Sequence, residues 1–535
     1  MRPNFLLFIT DQHRADYLGC SGHPVLRTPH IDSIAARGTR FTRFYVATPV
    51  CMPNRATLMT GRMPSLHGVR SNGSPLSLRA NTFVDALRAG GYATALVGKS
   101  HLQNFTMHGP VVKRPPPRTG DCVLGREFAE AEKPLPGDGP YDQEQPARWL
   151  PGRNFAMQLP FYGFEHVDLC TGHGDEVGGH YYVWLKERRP DTDALRDRAN
   201  QLAHDYVCPQ AIRTPVPEAL YPTRYIADQA CEWLDTHTRA PQGRTEPFFL
   251  TVSFPDPHHP FTPPGRYWSM YRPQDMTLPP NFDHGNRSLP RSVAWARAQR
   301  AAGTAERAGQ VAIAVNEREA REAIALSCGM ITMIDDAVGR VLEQLARLSL
   351  AEDTVVIFTS DHGDFLGDHG LLLKGPAHFD AITHVPFIWA EPGAQLSRTT
   401  DVLAGTLDIA ATVLDRAGVQ PYNGIQGLSL LPVLHGDGTA LISRDSIIIE
   451  DDQQRPGLGF VTPPRLRTIV TRQWRMTIAD GDPWGELYDL HADPHELDNL
   501  FEEPKARPAR AELMEVLAYR QMELAERSPL PTGRA

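Results

Sequence analysis

The segment Cys51-Met52-Pro53-Asn54-Arg55-Ala56-Thr57-Leu58-Met59-Thr60-Gly61-Arg62 sets a thiol two residues before a proline and four before a guanidinium. Pro53 suits the first turn of a helix, where its missing N–H has no intrahelical partner to lose. Cys51 is therefore expected at a helix N-terminus, whose free N–H groups and positive dipole end attract anions. A sulfate or phosphate ester is a sensible guest there. Taken alone, Cys-x-Pro-x-Arg is better read as a buried, inert cysteine before a helix, so its meaning depends on the residues that join it.

Other chemistry-bearing residues follow short apolar or β-branched runs. Asp11 and Gln12 come directly after residues 4 to 10, Lys99 and His101 after Tyr92 to Val97, His258 after Pro247 to Phe254, and Asp361 and His362 after Thr354 to Ser360. In open α/β sheets ligands gather at the carboxyl ends of strands, so these residues are expected to share one edge. Asp11, Gln12 and Asp361 offer hard oxygens suited to Ca²⁺, Mn²⁺ or Mg²⁺, and His362 leans toward Mn²⁺ or another transition metal. A divalent ion polarises an ester oxygen, and Arg55, Lys99 and Lys374 can neutralise a dianionic transition state. Asp11 on its own reads equally well as a helix cap. Asn72, in Arg70-Ser71-Asn72-Gly73, reads as a turn residue or a ligand to substrate. His173, Asp175, Glu176 and His180 share a Gly-rich stretch with no periodic element to fix them, and the expectation is a solvated loop.

The elements that position these residues alternate between strand and helix. Residues 310 to 348 are strongly helical, with Ile331, Ile334, Val338, Val341, Leu342 and Leu345 at three- and four-residue spacing. From about 440 onward the pattern changes to short strands without crossover helices, then a terminal helix. The expected fold is α/β: a large mixed, mostly parallel sheet sandwiched by helices, with a small C-terminal antiparallel sheet plus helix. The expected domains are a catalytic unit at 1–435 and a C-terminal α+β unit at 440–535. Between about 104 and 220 periodicity is weak, and that segment is expected to wrap the rim of the site.

With 41% hydrophobic and 22% charged residues among 535, the chain has ordinary globular composition. A net charge of -9 gives no footprint for nucleic acid or an anionic membrane. The N-terminal apolar run is too short for a signal peptide and no stretch has transmembrane length, so a cytoplasmic location is expected. The seven cysteines, at 20, 51, 122, 170, 208, 231 and 328, are scattered without a Cys-x-x-Cys pair, which argues against a disulfide framework or zinc ribbon.

Taken together, Asp11-Gln12, Cys51 to Arg62, Gly98-Lys99-x-His101, Pro257-His258-x-Pro260, Asp361-His362-Gly363 and Glu486-Leu487-Tyr488-Asp489-Leu490 resemble sulfatase motifs, in sulfatase order and over nearly the whole chain. The resemblance is to the formylglycine-dependent members of the alkaline phosphatase superfamily. It implies that Cys51 is oxidised by a maturation enzyme to Cα-formylglycine, whose hydrate is the nucleophile. It implies Asp11, Gln12, Asp361 and His362 as ligands to one divalent metal, with modified Cys51 completing the shell. Arg55 and Lys99 would hold the aldehyde hydrate and sulfate, His101 would be the base of the second step, and His258 and Lys374 would serve the leaving group. The usual signature has Ser where Asn54 stands. Gln12 and His362 are similar to the phosphonate monoester hydrolase and choline-sulfatase branches, whereas Lys99 and His101 are not the Tyr and Thr of phosphonate monoester hydrolases. The expected substrate is thus a small-molecule sulfate ester, with phosphonate monoester or phosphodiester hydrolysis as the alternative and a non-catalytic, metal-stabilised binding protein as the rival from another class. Homo-oligomerisation is left open.

Overall fold

The computed structural model describes residues 2–534 apart from 107, 110, 112–115, 117, 123–124, 126–127, 129, 133–138, 151, 153–154, 240–245, 395–396 and 437–443. The expected join at 435–440 falls largely outside the described residues.

Nine strands form the main sheet: β1 (Asn4–Thr10), β2 (Thr39–Phe41), β3 (Ala93–Lys99), β4 (His166–Thr171), β5 (Gly178–Gly179), β6 (Phe248–Ser253), β7 (Thr354–Ser360), β8 (Phe387–Ala390) and β9 (Arg398–Thr400), in the order β9-β2-β8-β7-β1-β6-β3-β4-β5. The central run β7-β1-β6-β3-β4 is parallel throughout. β8 runs antiparallel to β7 and β2, and β5 antiparallel to β4, so the sheet is mixed but mostly parallel, as expected. Pairing of Thr10 with Ser360 and of Ile9 with Ser253 brings three strand ends level. The residues that follow them are thereby delivered to one edge.

Both faces of the sheet are covered, which is why β1 is apolar at successive positions rather than at alternate ones. Phe5, Leu7 and Ile9 enter one core, with Met52, Ala56 and Leu58 of α2 (Cys51–Thr60), Phe83 and Leu87 of α3 (Phe83–Ala89), and Ile409 and Val413 of α6 (Ile409–Ala417). Leu6 and Phe8 enter the other, with Ile31 and Ile34 of α1 (Pro29–Ala36), Ile226 and Leu234 of α4 (Pro222–Thr238), and Ile334, Val338 and Val341 of α5 (Glu317–Arg347). The helix expected from 310 begins at Glu317. Asn316 caps it, its side chain accepting from Glu319 N–H while Glu319 bonds back to Asn316 N–H, and Ile313–Ala314 instead pair with Leu371–Leu372.

Four antiparallel strands in sequential order form the second sheet: β10 (Ser446–Asp452), β11 (Arg465–Thr471), β12 (Trp474–Ala479) and β13 (Asp482–Asp489). Ile448, Ile469, Met476 and Leu487 pack with Leu513 and Leu517 of α7 (Arg507–Glu523) and with Ala47, Met63 and Leu407 from earlier in the chain. Among the described residues, no helix is long and apolar enough to cross a membrane.

Candidate active site

Cys51 is the first residue of α2, and its side chain is buried. Asn72 accepts a hydrogen bond from Met52 N–H at 3.1 Å, so it braces the helix start beside Cys51. Arg55 lies one turn on, where an i, i+4 pair shares a helix face. Its Nε donates to Asp361 Oδ2 at 2.7 Å, and its Nη1 donates to Lys99 O at 3.0 Å and Ser253 Oγ at 2.9 Å. Asn54 is fully buried: its amide donates to Asp361 O at 2.6 Å and its carbonyl accepts from Thr406 Oγ1 at 2.7 Å and Ala47 N–H at 3.2 Å. One turn of α2 therefore clamps the end of β7.

The parallel strand ends supply the rest. Asp11 pairs with Lys99 Nζ, and its other oxygen is 3.4 Å from His362 Nε2. Gly98 permits this approach, since a Cβ there would sit 1.9 Å from Ser253 O. Gln12 and His101 both adopt left-handed backbone, at φ 66° and 59°, a conformation that costs a non-glycine residue and recurs at functional sites. Lys374 Nζ donates to Cys51 Sγ at 2.8 Å and lies 2.6 Å from His362 Nε2 and 3.3 Å from His258 Nε2. Lys374, His362 and Asp11 thus lie against Cys51, and Arg55, Lys99, Asp361 and His258 join it through them. Gln12 N–H reaches Asp361 Oδ1 at 3.2 Å, and Asn72 acts through the backbone.

Two residues escape the sequence reading. His173, expected on a solvated loop, follows the end of β4; its Nε2 lies 2.8 Å from Lys99 Nζ, and its ring stacks on His258 with centroids 3.6 Å apart. Its companions behave otherwise. Asp175 is buried against Arg198, and His180 accepts from Leu169 N–H at 2.8 Å. The second residue is Glu144, whose carboxylate accepts from the consecutive backbone N–H groups of His101, Leu102 and Gln103, each at 2.9 Å. The expected rim segment at 104 to 220 therefore reaches into the site's support. A Gly following the polar-flanked run His166 to Thr171 was the available signal for His173; a carboxylate that binds backbone leaves no pattern in sequence.

Electrostatics sort these groups by role. Burial raises the Cys51 thiol and Asp11 opposes its ionisation too, yet Lys374, His362 and Lys99 together hold it well below the ordinary thiol range. Burial pushes His101 down to about 3, with Lys99 adding to the effect, so it is a neutral imidazole at neutral pH. His258 is also held well below the usual range, first by burial and then by His173 and His259. Burial and Lys374 press His362 down, but Asp361, Cys51 and Asp11 outweigh them and raise it to about 10. The anions around its Nε2 favour a cation there.

The same atoms suit a metal ion. Ligand atoms of Asp11, Cys51, Asp361 and His362 lie within 4.8 Å of one another. His362 Nδ1 donates to Gly363 O at 2.9 Å, which turns the Nε2 lone pair inward, the usual arrangement for a ligating histidine. Gln12 Nε2 is taken by Asp364 and His259, while its Oε1, buried, has no hydrogen-bond partner among the described residues. An orphaned buried carbonyl costs free energy unless something binds it, and a hard cation would.

A sequence model described as Sulfatase matches residues 3–419. The chain belongs to the sulfatase family. A second family model, described as N-sulphoglucosamine sulphohydrolase, C-terminal, matches residues 367–523. An arylsulfatase of Clostridium perfringens is 27% identical, over 95% of this chain and 92% of its own length. A choline-sulfatase of Rhizobium meliloti is 26% identical, over 98% of this chain and 86% of its own. The crystal structure of a phosphonate monoester hydrolase of Agrobacterium radiobacter superposes with a TM-score of 0.74 at 25% identity, covering 98% of this chain and 97% of that one. This sulfatase is an enzyme of the sulfuric ester hydrolase class, built on the alkaline-phosphatase-like fold.

Proposed function

We propose that this sulfatase hydrolyses a sulfate monoester of a small-molecule alcohol, using Cα-formylglycine made from Cys51 by a maturation enzyme and one divalent ion, Ca²⁺ or Mn²⁺, held by Asp11, Gln12, Asp361 and His362. The observation that supports the choice of sulfate is the joint presence of Lys99 and His101, where phosphonate monoester hydrolases carry Tyr and Thr. The ion supplies a Lewis acid for a sulfate oxygen. The modified side chain supplies a hydrated aldehyde, one hydroxyl to attack sulfur and a second whose deprotonation lets sulfate leave.

The chain's own residues do the remaining work. Arg55 keeps one buried Nη2 without a partner among the described residues, and with Lys99 it offers N–H groups to the equatorial oxygens as charge builds. His101, neutral, accepts the proton of the second hydroxyl. His258 gives its Nδ1 proton to the carbonyl of His259 and accepts from Lys374 at Nε2, so it carries no proton toward the leaving group. Lys374 is therefore the donor to the departing alcohol, and His258, stacked on His173, orients it.

The fold neighbour and the Gln12 and His362 ligands favour one second reading, phosphonate monoester hydrolysis in the same pocket. Both readings are tested by kcat/KM of the converted enzyme on an aryl sulfate and on a phenyl phosphonate monoester, with the Cys51 peptide weighed by mass spectrometry. The expected result is formylglycine at position 51 and preference for sulfate. Preference for the phosphonate would reverse the ranking, and full activity with an unmodified Cys51 would refute the mechanism.

A further inference from the structure

Before conversion, Cys51 offers a different atom to the same pocket. We propose that the unconverted chain is a transition-metal site, binding Zn²⁺ through Asp11, Cys51, Asp361 and His362, and that conversion of Cys51 replaces this soft ligand set by a hard one.

The distances support it. Cys51 Sγ lies 3.1 Å from His362 Nε2 and 3.8 Å from Asp11 Oδ1. His362 Nε2 lies 3.4 Å from Asp11 Oδ1 and 3.6 Å from Asp361 Oδ1. Zinc bonds of about 2.0–2.3 Å to oxygen, nitrogen and sulfur in a tetrahedron set ligand atoms about 3.3–3.8 Å apart. Four of the contacts thus nearly match the edges of a tetrahedral site before any ion enters.

Spacing of this size also suits Ca²⁺, so donor chemistry decides. A thiolate with an imidazole selects Zn²⁺ and its neighbours over Ca²⁺ and Mg²⁺, which take all-oxygen shells. Sγ stands at the head of α2, buried among the other three ligand groups. Lys374 Nζ, 2.8 Å from Sγ and 2.6 Å from His362 Nε2, puts a positive charge next to two of the four ligands. Its stem is long and its third partner, His258, lies on the leaving-group side, so an arriving ion can displace it toward His258. The zinc site stands on the spacing and the chemistry of the donors present; only the change on conversion rests on the proposed function. Its consequence is an inert, metal-locked chain whenever conversion fails.

The test uses the full-length chain purified with Cys51 as a thiol, checked by peptide mass, stripped with a chelator and titrated with Co²⁺ alone. The expected result is an intense near-ultraviolet thiolate-to-cobalt band with tetrahedral visible bands, saturating at one equivalent and bleached by Zn²⁺. Cys51→Ser abolishes the near-ultraviolet band and weakens Zn²⁺ binding by about 100-fold or more, with circular dichroism verifying its fold. The converted chain, which lacks the thiol, serves as a second control and binds Co²⁺ without that band. Co²⁺ binding with no thiolate band in the Cys51 chain would overturn the proposal, as would a band that persists in Cys51→Ser or the converted chain, since another cysteine would then be its source. Aryl sulfate turnover by the converted chain, measured in parallel, separates the two claims: activity without a thiolate band removes only the zinc site, and a band without activity removes only the proposed function.

Discussion

Asn54 shows how one side chain can be both a departure from a family signature and a working part of the fold. Its amide joins Asp361 O to Thr406 and Ala47, three segments that meet only in the folded chain. A serine at this position has one short hydroxyl and cannot span them. Asn54→Ser is expected to cost roughly 1–3 kcal/mol, because buried groups lose their partners. Thermal denaturation checks this, and an unchanged Tm would show that the bonds are dispensable. Lys374 makes a different kind of claim, about chemistry. If it protonates the departing alcohol, Lys374→Ala lowers kcat by about 10²–10⁴-fold for alkyl sulfates and far less for nitrophenyl sulfate, whose phenolate leaves without a proton. A series of esters of graded leaving-group pKa measures it. An equal loss across the series would assign Lys374 to sulfate binding instead.

Elements differ in how plainly they announce themselves. Strands buried on both faces, such as β1 and β7, read directly from sequence because nothing polar can occupy them, and the loaded residues at their ends followed at once. α5 read equally well in its body, but its start did not, since a capping box outweighs propensity only where the chain actually turns. β4 carries no such signature: its burial is uneven, with His166 and Asp168 partly exposed, and among the described residues its only outer neighbour is the two-residue β5. Without that strand, His173 had no strand end to occupy. Glu144 belongs to the same scale, because it holds an element rather than a substrate. Its carboxylate is the cap that keeps His101 in left-handed backbone. Glu144→Ala is expected to reduce kcat by about 100-fold through misplacement of His101, with KM little changed. Glu144→Gln keeps one acceptor oxygen but sets an amide N–H2 against the backbone donor that the second carboxylate oxygen served, so it should recover only part of the rate. If both variants lose KM and kcat alike, the loop shapes substrate binding rather than the base.

At the scale of the whole molecule, the buried histidines tie stability to pH. His67 is the cleanest case because it lies outside the site, between α2 and the loop after it. Its Nδ1 accepts from Val69 N–H at 3.2 Å and its Nε2 donates to Thr57 Oγ1 at 3.0 Å, so the neutral ring is fully satisfied and a second proton would break the first bond. Burial, with Arg62 adding to it, pushes His67 down to about 3. In the unfolded chain its pKa is about 6.5. Between those values the unfolded state binds the extra proton and the folded state does not, so stability rises with pH and is lost on acidification from about 6.5 toward 3. Each unit of separation is worth about 1.4 kcal/mol. Buried acids slope the other way: burial raises Asp256 and Glu144 to about 7, so their ionisation destabilises the fold as pH climbs toward that value. The net curve mixes both signs, and only a difference between variants isolates one group. His67→Gln, uncharged at every pH, should therefore lose less Tm than the parent between pH 7 and pH 4, with the two curves converging on acidification. Parallel curves would mean that His67 titrates alike in both states, and would move the acid sensitivity to the histidines around Cys51.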